Sequence, residues 1–155
     1  MLSDLFSLGA YDLAFVITAT LFNLLIAAIF IAQKRQRADL VRVFGILWLS
    51  LGIPLLLVFV HYLSLGKELW IMIYFGLVLF YMLVELLLDY ILKFDFRSKR
   101  STHIPYIILE YVALIGLIGI SFAVDRTWGF VVSISFWILL VALIFLYRGI
   151  KTKVN

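Results

Sequence analysis

The chain has 155 residues, of which 66% are hydrophobic and 14% charged, and it carries a formal net charge of +4. Soluble domains run at about 45–50% apolar and about 25% charged, so a water-soluble domain is excluded, and the modest basic surplus suits anionic headgroups rather than nucleic acid. Cysteine is absent, which removes disulfides, thiolate metal sites, Fe–S clusters and thiol redox catalysis together.

Runs of weakly charged, apolar sequence recur at 13–32, 43–62, 69–92, 104–124 and 129–147. Each is long enough to cross a hydrocarbon core of roughly 30 Å as a helix. The expected fold is all-α, a polytopic bundle of five transmembrane helices forming a single domain over 1–155. Lys34, Arg35, Arg37 and Arg42 follow the first run; Lys93, Arg97, Lys99 and Arg100 follow the third; Arg148, Lys151 and Lys153 follow the fifth. Only Lys67 and Arg126 fall on the other side, so the amino terminus is expected outside and the carboxyl terminus in the cytoplasm, in a plasma membrane of prokaryotic type.

The opening twelve residues contain Asp4 and Asp12 but no Lys or Arg, unlike the basic start of a cleavable signal, so the first span is expected to remain as an anchor. That span sets Ala19, Asn23 and Ala27 on one stripe beside Thr20, a pattern for close helix approach with an interhelical hydrogen bond; contact with a translocated ligand is the alternative for Asn23. The second span aligns Gly45, Trp48 and Gly52, and Pro54 predicts a kink that frees the carbonyl of Ser50. His61 lies at its outer end and His103 at the inner mouth of the fourth span, so the two cannot ligate one haem. Short outer turns at Lys67–Glu68 and Asp125–Thr127 make spans two and three, and four and five, antiparallel neighbours. The fourth span opens on Ser101, Thr102 and Pro105, then carries Ala113, Gly116, Gly119 and Ala123 as a tight packing face, within this chain or between chains. The fifth has Ser133, Ser135 and Trp137 with Trp128 and Tyr147 at its ends, a packing and anchoring helix. No internal repeat is evident, and an odd number of spans disfavours two inverted halves in one chain.

The costly residues are in the third and fourth spans. Tyr81, Glu85, Asp89 and Lys93 are spaced four apart, and Tyr106 and His103 precede Glu110 by four and seven residues. At about 1.5 Å per residue, Glu85 lies roughly 12 Å and Asp89 roughly 6 Å in from Lys93, and Glu110 roughly 9 Å in from Ile104, one layer in the cytoplasmic half. If spans three and four face each other along these stripes, three carboxyls, two phenols and an imidazole converge.

The layer admits three readings. Asp89 could pair with Lys93, and Glu85 and Glu110 with Tyr81, Tyr106, Arg97 or Arg148, so that the layer only specifies packing in a non-catalytic accessory or scaffold subunit. Alternatively Glu85, Asp89 and Glu110 form a proton or cation site with Tyr81, Tyr106 and His103 as secondary groups, suited to transport or ligand binding. A divalent cation such as Mg²⁺, Mn²⁺, Ca²⁺ or Zn²⁺ is the one cofactor such a layer suggests, there being no haem, Fe–S or nucleotide signature. The third reading is a metal-assisted intramembrane enzyme, with Arg97, Lys99 and Arg100 holding a lipid phosphate or other anionic headgroup. No G-x-S-x-G, H-E-x-x-H or phosphate-binding glycine loop supports it. The expected partners are anionic lipids at the cytoplasmic face and a homo-oligomer or larger membrane complex.

Overall fold

A computed structural model describes residues 8–92 and 104–148 in full and the backbone of 100–103. The first span is α1, Ala10–Lys34. The second comprises α2, Ala38–Ser50, and α3, Gly52–Ser64. The third is α4, Leu69–Glu85, running directly into a π-helical turn over Leu86–Ile91. The fourth and fifth are α5, Arg100–Val124, and α6, Arg126–Arg148. Five of the resulting helical stretches are long and apolar enough to cross a membrane, and no strand occurs among the described residues. The protein is all-helical and multi-pass.

Local chemistry sets the ends of these helices. At the α1–α2 turn Arg37 N–H bonds the carbonyl of Ala32 (3.0 Å) and Gln36 N–H that of Gln33 (3.0 Å). This is a Schellman closure with Gln36 in the left-handed conformation at φ 55°. The α3–α4 turn repeats it through Lys67 to Tyr62 (3.2 Å) and Gly66 to Leu63 (3.1 Å), with Gly66 at φ 62°. Asp125 caps α6 by accepting from the Trp128 N–H at 3.0 Å. The second span is interrupted at Leu51, three residues before Pro54, where the Leu51 N–H reaches back only to Trp48 (3.1 Å). That is the expected proline effect: Pro54 lacks the N–H that would bond residue 50, and the chain relaxes one turn earlier.

The helices close a ring in the order α1, α2–α3, α4, α5, α6 and back to α1, and α1 also reaches across to α5. It is the most enclosed span, with 44% of its apolar window buried against 22–33% elsewhere. Its small-residue stripe explains this, because Ala19, Asn23 and Ala27 are all buried and let α6 approach. Asn23 donates to Ser135 Oγ at 2.9 Å and to the Val132 carbonyl at 3.3 Å, so it is the packing amide. The small face of α5 is likewise occupied within the chain. Gly116 lies against Tyr74, Gly119 stands near Trp70, and Ala113 is buried, while Ala123 is exposed.

One half of the bundle is packed with aromatic rings. Phe15, Phe59 and Tyr62 converge on Phe75 with ring centroids 5.3, 5.4 and 6.0 Å away. Tyr62 donates to Asp12 at 2.6 Å, and Tyr11 stacks on His61 at 3.8 Å, tying α1 to α3 at that end. Outside, Ile53, Leu57, Ile134, Trp137 and Val141 are exposed, an apolar perimeter fitted to lipid tails.

Candidate functional site: a carboxyl-lined cavity

The other half of the bundle contains a cavity of about 410 Å³, walled by residues from all five spans. Its polar lining comes chiefly from the third and fourth spans. Tyr81 and Glu85 sit one α-helical turn apart near the end of α4, as their spacing predicts. Beyond Glu85 the expected continuous α-helix gives way to the π turn, in which the Leu92 N–H bonds the carbonyl of Leu87 at 2.8 Å. The unbroken α-helical spacing expected from Glu85 to Asp89 is therefore replaced by a π turn, while Asp89 stays at the cavity. An i→i+5 turn takes in one more residue and delays the helical phase beyond it, so Asp89 and its neighbour Tyr90 both reach the cavity wall. The Tyr90 hydroxyl lies over α2, in the space that a Cβ on Gly45 would occupy.

On α5, Tyr106 and Glu110 line the same cavity, again at α-helical spacing. Tyr106 donates a hydrogen bond to Glu85, and its hydroxyl is 3.3 Å from that of Tyr81. The three side chains make a chain of hydroxyls ending on a carboxyl. Their rings are buried, with Tyr81 and Tyr106 centroids 5.8 Å apart. Below them Trp48 meets Tyr81 edge-on at 5.6 Å and Phe22 at 4.9 Å, a floor between the cavity and the packed half. Trp48 is 3% exposed, and its indole N–H has no hydrogen-bond partner among the described residues.

The remaining wall is apolar or weakly polar: Ile26, Phe30 and Gln33 of α1, Val41 of α2, and Leu139, Leu143 and Tyr147 of α6. At the same end Lys34 donates to the Phe145 carbonyl at 2.6 Å and lies 4.7 Å above the Phe145 ring, joining the ends of α1 and α6. The Arg37–Asp39 ion pair beside it, at 2.9 Å, is exposed and contributes little.

Glu85, Asp89, Glu110, Tyr81 and Tyr106 are thus brought together around one cavity. Among the described residues no three His, Cys, Asp or Glu side chains are grouped so as to hold a metal ion. Lys93, Arg97 and Lys99 lie outside the described residues, as do the side chains of Arg100 and His103. The headgroup site and the imidazole expected from the sequence therefore have no geometry here. Trp48, Tyr90 and Tyr111 are wall residues that sequence reasoning did not single out as site groups. Gly45 was the available pointer to Tyr90, since a glycine on an inward face leaves room for a large partner. Comparison with family models, curated proteins and solved structures finds no match.

Proposed function

We propose that this is a small transport or ligand-binding membrane protein whose working site is the carboxyl layer of Glu85, Asp89 and Glu110, exchanging protons for a cation. The observation that supports it is the meeting of these three carboxyls, from α4, the π turn and α5, at one cavity of about 410 Å³. Packing alone needs no such groups, because a neutral pair such as Asn23–Ser135 already joins helices at lower desolvation cost. A carboxyl at membrane depth is held at lower cost as the protonated acid or beside a cation, and proton and cation can displace each other there. Tyr106 donates to Glu85 and stands beside Tyr81, so a proton at Glu85 has a hydroxyl chain leading inward. His103, three residues before Tyr106, is a further group of this site in the proposal.

The orientation follows the basic residues. Lys34, Arg35, Arg37, Arg42 and Arg148 stand at the cavity end, so that end faces the cytoplasm and the amino terminus lies outside in this reading.

The test measures thermal stability of purified wild type, Glu85→Gln and Glu110→Gln across pH and with Mg²⁺, Mn²⁺, Ca²⁺ or Zn²⁺, followed by proton flux in proteoliposomes under an imposed pH gradient. Wild type is expected to respond to pH, both variants to flatten that response, and cation-driven proton flux to vanish in both. Identical pH profiles in the three proteins would reduce the carboxyls to packing groups and overturn the proposal.

A further inference from the structure

We infer that the stacked pair of Tyr11 and His61 is an acid-tightened latch between α1 and α3, at the end of the bundle away from the cavity. A proton on His61 holds the two helices together, and its loss lets them part. None of the groups involved lines the cavity, so the inference goes beyond the carboxyl layer and stands or falls apart from it. Geometry is the first argument. The two rings lie face to face, with centroids 3.8 Å apart and an interplanar angle of 15°. A neutral imidazole so placed makes only a stacking contact, whereas an imidazolium puts a full charge over the negative face of the phenol ring. Imidazole is also the side chain whose ordinary charge change falls between pH 5 and 8. The pair stands at helix ends, Tyr11 in the first turn of α1 and His61 in the last turn of α3, where protons from bulk water reach it.

The charged neighbours divide by the helix that carries them. On α1, Asp12 adjoins Tyr11 and accepts from Tyr62 at 2.6 Å. In the turn after α3, Lys67 lies 5.2 Å over the Tyr62 ring, and Glu68 accepts from the Trp70 indole. Lys67 and Glu68 follow α3 in the chain and stay near His61 whether or not α1 is close, whereas Tyr11 and Asp12 leave it when the helices part. The contacts that distinguish the closed pair are therefore a π face and a carboxylate, and both favour a cation over a neutral ring. Position gives that charge a mechanical effect. α3 starts after the break at Leu51, and His61 lies roughly 15 Å further along it, so a tilt about the break is largest where the pair holds. Phe15, one turn along α1 from Tyr11, is fully buried with its ring 6.3 Å from that of Tyr62, and parting the helices uncovers it.

The experiment uses the full chain in lipid nanodiscs with Phe15→Cys as its one thiol, since the chain has none of its own. Its rate of reaction with a small charged methanethiosulfonate is measured at about pH 8 and about pH 5.5, either side of the imidazole range. Each rate is divided by that of Leu65→Cys, an exposed site at the same end, which cancels the pH dependence of the thiol. The normalised rate is expected to fall by about two- to fivefold in acid, the effect of one cation over an aromatic face. That fall should vanish with His61→Gln, shrink with Tyr11→Leu, and persist with Tyr11→Phe, which keeps the π face. Val58→Cys, a smaller change at a buried site one turn in from Tyr62, repeats the measurement, so a plug loosened by Phe15→Cys does not remove the test. Glu85→Gln and Glu110→Gln should leave the response intact, which separates failure of the latch from failure of the carboxyl layer. A normalised rate that ignores pH while His61 is present, or rises in acid, overturns the latch. A fall that survives His61→Gln overturns it too, as does one abolished by Glu85→Gln or Glu110→Gln.

Discussion

Gly45 and Tyr90 make the most direct test of the cavity wall. A Cβ at Gly45 overlaps the Tyr90 hydroxyl but stands 3.5 Å from Tyr90 Cζ, an ordinary contact. The conflict is therefore with one terminal atom. Overpacking a helix interface costs about 1–3 kcal/mol, and alanine in place of a helical glycine returns about 0.5–1 kcal/mol. Gly45→Ala alone should thus destabilise by about 1–2 kcal/mol, with the hydroxyl pushed off α2. Tyr90→Phe removes the overlapping atom, so the double variant should recover that loss and show a coupling of about 1–2 kcal/mol in a mutant cycle. The cycle matters because Tyr90 has interactions of its own, and it cancels any loss of them on removing the hydroxyl. Unfolding in mixed micelles with increasing SDS reads all four proteins. Gly45→Ala that is neutral by itself, or a coupling under about 0.3 kcal/mol, would mean that the π turn does not hold Tyr90 over α2.

The same assay reads three further pairs. Tyr106→Phe with Glu85→Gln should couple by about 1.5 kcal/mol, the upper end for membrane proteins, and Tyr81→Phe with Glu85→Gln by less than about 0.5 kcal/mol; equal couplings would refute the hydroxyl order. Asn23→Ala and Ser135→Ala should couple by about 0.6–1.7 kcal/mol, and additivity would deny their 2.9 Å hydrogen bond. Gly66→Ala should cost about 1 kcal/mol from its φ of 62° alone, since nothing lies within 4 Å of the added Cβ. Gln36→Gly at φ 55° should change stability in the opposite direction, and a shift of the same sign in both would contradict the shared turn geometry.

The five spans were legible because hydrocarbon leaves a chain no other way to satisfy its backbone, so length and apolarity settle the helices. The break near Pro54 was legible to within three residues for an equally local reason, a missing N–H. Tyr81, Glu85, Tyr106 and Glu110 stood out because such groups are expensive at depth and kept α-helical spacing. The phase after Glu85 did not, because Leu86, Leu87 and Leu88 suit an α or a π turn equally. The walls from α1, α2 and α6 were hidden for another reason. Helices that are apolar all round do not reveal which face turns inward, so the inward positions of Ile26 and Leu139 follow from packing. The enclosure of α1 was written only in its small residues, while the charged third span drew attention to chemistry rather than to centrality.

Transport requires more than a cavity, since the far half is filled by Phe15, Phe59, Tyr62 and Phe75. The interruption at Leu51 divides the second span at a suggestive place. α2, before it, supplies Val41, Gly45 and Trp48 to the cavity, whereas α3, after it, supplies Phe59 and Tyr62 to the plug. A tilt of α3 about this break would part Tyr62 from Asp12 and Phe75 while leaving the cavity wall in place. Because the chain has no cysteine, the tilt can be blocked cleanly by placing Tyr11→Cys and His61→Cys at the stacked pair and joining them with a short bifunctional thiol reagent. A transporter so joined should keep ligand binding and lose flux, with flux restored by a reducible linker once it is cleaved. Flux that survives quantitative cross-linking would show that the path does not pass beside α3. Binding without flux, before and after reduction, would assign the protein to ligand binding alone.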